Sequence, residues 1–76
     1  MLATFNAGDV VERLRTGVTA GATVERGTLG TICRIVNPGR SYKVRYEDFG
    51  LCVLVFHDSI GKAPAGSVGP ECEEDC

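Results

Sequence analysis

The chain has 76 residues, 43% apolar and 24% charged, with no tryptophan and a formal net charge of −2. That length holds one domain and buries only about 60–65% of the surface its unfolded form exposes, so the fold needs oligomerisation or a covalent staple to be more than marginal. No apolar run approaches the ~18 residues of a membrane-spanning helix, and MLATFNAGDV lacks the basic and apolar regions of a secretory signal, so a cytoplasmic location with no membrane partner is expected.

Phe5 to Leu14, FNAGDVVERL, opens with a loop through Gly8 and Asp9 and runs into a first strand. Val10, Glu12 and Leu14 alternate with Val11 and Arg13, and which face is buried stays open. A short amphipathic helix capped by Asn6 or Asp9 is the competing reading. Residues 16–28, TGVTAGATVERGT, show no sustained period and read as a long loop or open hairpin, of a length that often carries function. LGTICRIV, residues 29–36, is the second strand, with Thr31, Cys33 and Ile35 on one face and Ile32, Arg34 and Val36 on the other. Asn37-Pro38-Gly39-Arg40 is a turn in which Pro38 presets φ and Gly39 supplies the positive φ of a type II geometry.

SYKVRYEDFGLCVLVF, residues 41–56, reads as one β-hairpin. Tyr42, Val44 and Tyr46 alternate with Lys43 and Arg45, the period-2 pattern of a strand with one dry and one wet face. Glu47 to Gly50 supply turn chemistry. Leu51 to Phe56 are six apolar residues, as in a strand covered on both faces. His57 to Gly61 suggests one turn of helix ended by Gly61, Ala63 to Val68 a short last strand kept at an edge by Pro64, and Gly69 onward an acidic tail. The domain is therefore drawn as 1–68, with a tail at 69–76.

These pieces, GDVV, GTLGTI, YKVRYEDFG, an apolar strand and a helical turn, resemble the SH3-like barrel superfamily, and within it KOW-type and Tudor-type modules. The resemblance covers about residues 5 to 66. It implies an all-β fold: a small closed barrel of about five antiparallel strands with a one-turn helix before the last. Such a fold hosts many unrelated sites, so function is read from the residues.

Eight basic and six acidic residues precede position 71, and Glu71, Glu73, Glu74 and Asp75 follow. Between Arg26 and Tyr46 there are five basic residues and no acid. If Tyr42, Val44 and Tyr46 face inward, Lys43 and Arg45 share the outer face, with Arg34 on the neighbouring strand and Arg40 at the turn close by. Those four, Arg34, Arg40, Lys43 and Arg45, would attract phosphates, giving a non-enzymatic module that binds nucleic acid or another polyanion. The acidic tail folding back across this stripe would screen it. The alternative function is a protein–protein adaptor or inhibitor, such as a small accessory protein of a phage or mobile element, using the 16–28 loop and an exposed Phe49 at the hairpin tip. Pairing of a second copy through an edge strand would stabilise so small a core.

Other constellations favour plainer readings. A Tudor-like aromatic cage would need Tyr42, Tyr46, Phe49 and Phe56 outside, whereas alternation assigns most of them to the core. His57-Asp58-Ser59 names three triad residue types, but consecutive residues on one turn diverge, and helix capping by Asp58 or Ser59 is favoured. Cys33 and Cys52, inside apolar strands, read as buried thiols. Cys72 and Cys76 lack the spacing of a structural zinc site, leaving a tail disulfide, an intermolecular bridge or free thiols. No metal or cofactor is expected. The plasmid-encoded dihydrofolate reductases of this size and fold carry Val-Gln-Ile-Tyr where this chain has Val53-Leu54-Val55-Phe56. Losing the amide and the phenol excludes that activity.

Overall fold

The computed structural model describes residues 5–19, 21–47, 49 and 52–72. The expected turn residues Asp48 and Gly50, Leu51 at the head of its strand, and Glu73, Glu74, Asp75 and Cys76 of the tail lie outside the described residues.

Among the described residues, seven short strands, β1 (Val10–Arg13), β2 (Gly17–Thr19), β3 (Ala22–Val24), β4 (Leu29–Asn37), β5 (Ser41–Tyr46), β6 (Cys52–Phe56) and β7 (Ile60–Lys62), carry the fold. One 3₁₀ turn, His57–Ser59, stands between β6 and β7. Five strands form one antiparallel sheet in the order β6-β5-β4-β1-β7, and β2 and β3 form a separate hairpin, so residues 16–28 take the open-hairpin form. The protein is all-β, but the expected closed barrel is not there: the sheet's edges, β6 and β7, are not hydrogen-bonded to each other. β7 has only three residues, and Pro64, two positions on, brings no N–H to extend a ladder. The last strand is thus Ile60–Lys62 and not the Ala63–Val68 expected. Gly61 lies inside it, where a Cβ would stand 2.8 Å from Leu14 Cδ2, so this glycine permits close packing and does not end a helix.

The interior follows the alternation in β5. Tyr42, Val44 and Tyr46 are fully buried, with Val11, Ile32, Val53, Val55 and Ile60 around them and Phe5 set edge-on to Tyr42. Gly30 lies beneath this layer, where a Cβ would meet Val44 Cγ1 at 2.7 Å. β1 resolves its ambiguity in favour of the Val11/Arg13 face. Arg13, only 7% exposed, places Nε on the Arg15 carbonyl at 2.9 Å and Nη1 3.5 Å from the Tyr46 hydroxyl. Gly17 leaves room for it, since a Cβ there would lie 2.9 Å from Arg13 Nη2. Burial raises the Tyr46 phenol above its ordinary value of 10.0, and the hydrogen bond and positive charge of Arg13 offset part of that rise.

The buried-thiol reading of Cys33 and Cys52 does not hold. Cys33 is bonded to Cys72, 39 residues on, and Cys52 is also disulfide-bonded. Both lie half-buried toward the outer face, where alternation places them once their neighbours Ile32 and Val53 turn inward. The start of the tail is consequently part of the fold. Gly69 sits so tightly against Thr31, Gly30 and Val10 that a Cβ would clash with the Thr31 hydroxyl, and Cys72 is tied to β4. No helix among the described residues is long and apolar enough to cross a membrane.

Candidate functional site

The outer face of β4, β5 and β6 is built by register. In β5–β6, Lys43 stands opposite Leu54, Arg45 opposite Cys52 and Ser41 opposite Phe56. In β4–β5, Thr31 stands opposite Arg45 and Arg34 opposite Lys43. Strict alternation along β4 would put Arg34 on the side of Ile32, which is fully buried. A register shift between Ile32 and Arg34 inserts Cys33 as an extra residue and turns Arg34 out beside Lys43. Directly opposed residues hold their Cβ atoms roughly 5 Å apart, and two cations at that spacing repel. Among the described residues no acid occupies a position opposite either of them.

The four basic residues are not equivalent. Arg34 is exposed and Lys43 half-buried, and they form the opposed pair. Arg45 shares their face, but its Nε donates to the Phe49 carbonyl at 2.8 Å and fastens the hairpin loop. Arg40 is exposed at the turn, where its N–H donates to the Asn37 carbonyl at 2.9 Å and Gly39 takes φ 75°, as a type II turn requires. Its carbonyl accepts the His57 N–H at 2.8 Å, which locks the turn to the 3₁₀ segment.

Between those two elements lies an open cleft of about 660 Å³, lined by Asn37, Gly39, Arg40, Ser41, Phe56, His57 and Asp58. Its back wall is held by ring packing and hydrogen bonds. The His57 ring packs on Phe5 at a centroid distance of 5.2 Å, and its Nδ1 is 3.0 Å from the Tyr42 hydroxyl. Asn37 donates through Nδ2 to Ser41 Oγ at 3.2 Å. Phe56 forms the lip, 64% exposed. Asp58 and Ser59 do not cap the 3₁₀ turn as expected: Phe56 is its N-cap and makes no side-chain cap bond, because the extended chain of β6 runs straight into it.

Two aromatic assignments change places. Phe49, expected at the tip as an exposed anchor, is half-buried, packs against the core and meets Tyr46 edge-on at 6.3 Å. Phe56, assigned to the interior of a strand covered on both faces, is exposed, as is Leu54 at 44%. In β6 only Val53 and Val55 point inward. The sequence signal was present but uncombined: pairing Val53 and Val55 with Val44 and Tyr42 places Leu54 and Phe56 on the side of Lys43.

No protein-family model matches the chain, and no curated protein or solved structure matches it either.

Proposed function

We propose that the chain is a non-enzymatic, SH3-like binding module whose sheet face contacts nucleic acid or a similar polyanion through phosphate-type contacts. Support for the SH3-like reading comes from the strand order β6-β5-β4-β1-β7, with the β2–β3 hairpin inserted after β1 and a 3₁₀ turn before the last strand. The observation that carries the function is the opposed pair Arg34 and Lys43. A cross-strand like-charge pair with no acid opposite it destabilises the sheet by itself, and a bound polyanion relieves the repulsion. Arg40 extends the positive field toward the turn. The Cys33–Cys72 bridge supports a compartment oxidising enough to keep it closed, in place of the reducing cytoplasm expected from the sequence.

Salt-gradient elution from immobilised heparin and from DNA tests the reading. Three phosphate contacts give an affinity falling with salt at a log–log slope of about −2 to −3. Retention should vanish in the Arg34→Glu/Lys43→Glu variant; unchanged elution of that variant would falsify the assignment. The adaptor alternative retains one feature in its favour, Val18 at 73% exposure on the β2–β3 hairpin. It gains ground only if heparin and DNA are both ignored.

A further inference from the structure

We propose that the ligand is a single-stranded nucleic acid, one of whose bases stacks on Phe56 over the Arg40–His57 cleft while its phosphates follow Arg34 and Lys43. This rests on the polyanion reading above and adds what lies beside the basic pair. On the outer face, β6 presents Leu54 and Phe56, and β5 and β4 present Lys43 and Arg34 in the adjoining rows. Neighbouring strands lie about 4.8 Å apart, so an apolar row and a cationic row run side by side at the sheet's edge. A single strand has that same division, with flat apolar base faces along one side and phosphates along the other. In a duplex the base faces are already stacked on one another and are closed to Phe56.

The cleft sorts its occupant further. Arg40 supplies a guanidinium for a phosphate oxygen, and the ring of Phe56 a stacking face. Asp58 is an acceptor beside them, unfavourable to a bare anion but suited to the exocyclic amino group of cytosine or adenine. His57 is held from behind by Tyr42 and Phe5, and its backbone is tied to Arg40, so both walls are set before binding. An acidic peptide would satisfy the cations but would offer Phe56 no ring.

The test is fluorescence anisotropy with a labelled mixed-sequence DNA strand about twelve nucleotides long, the same sequence as duplex, and polyglutamate as competitor. The proposal expects the single strand to bind more tightly than the duplex. Phe56→Ala should weaken the single strand by roughly 5- to 100-fold, Phe56→Trp should restore it, and heparin retention should be unaffected by either. Because Phe56 is on the surface, the alanine variant keeps the core, and its circular dichroism and melting curve check that. Equal binding of strand and duplex, an unchanged Phe56→Ala, or polyglutamate competing as well as unlabelled strand overturns the proposal. Those results with heparin retention intact remove only the single-strand assignment, whereas loss of heparin retention by the wild type removes the polyanion reading itself.

Discussion

Replacing both Cys33 and Cys72 by serine removes the tie between β4 and the tail and leaves Cys52 as it is. The bridge closes a loop spanning a separation of 39 residues. For about 40 residues the loss of loop-closure entropy in the unfolded chain amounts to about 4 kcal/mol. A domain of this size has a total stability of only about 5–10 kcal/mol, so roughly two-fifths to four-fifths of it hangs on one bond. At 4–8 °C per kcal/mol, the melting temperature should fall by about 15–30 °C. Thermal melts followed by circular dichroism, without reductant, measure this, and peptide mapping of the unreduced protein locates the 33–72 link. A fall of less than about 5 °C with an unchanged denaturant slope would refute the view that the tail attachment constrains the fold.

Two further outcomes follow from the same geometry. Cys72 is fixed to Cys33, next to Arg34, which motivates the screening idea for the acidic tail; converting Glu71, Glu73 and Glu74 to glutamine and Asp75 to asparagine should move heparin elution to higher salt, and coincident elution of the two proteins would dispose of it. Burial raises the Tyr46 phenol, so the folded state favours its protonated form; that contribution is intact below pH 10.0 and is lost as pH rises through the higher folded-state value. Alkaline unfolding should therefore be less steep in Tyr46→Phe, a variant costing roughly 0.5–1.5 kcal/mol at neutral pH, and parallel curves for the two proteins would contradict the assigned cause.

The readable parts of the fold were those with a strong local period. Tyr42, Val44 and Tyr46 face inward, and Lys43 and Arg45 outward, because a six-residue strand with alternating character has one way to dry its apolar side. The Asn37–Arg40 turn was equally legible, since Pro38 and Gly39 each restrict φ locally. Arg34 was harder. Its place beside Lys43 depends on a bulge at Cys33 that no composition announces, and Cys33 itself pairs with a partner 39 residues away. The run CVLVF gave a misleading impression of full burial, because an apolar run looks the same whether its strand is central or at an edge. With Val53 and Val55 turned inward, alternation puts Leu54 and Phe56 of β6 on the outer face with Lys43, so they remain on the surface.

Local chemistry alone therefore determined the β class, the Asn37–Arg40 turn and the inward tyrosines, because those depend on neighbours one or two residues away. Tertiary structure decided the disulfide pairing, the exposure of Phe56, the inward turn of Arg13 and the opposition of Arg34 to Lys43. Each of those is a contact between chain segments far apart in sequence, set by register and by which strand ends at an edge, and neither is written in any single stretch of residues.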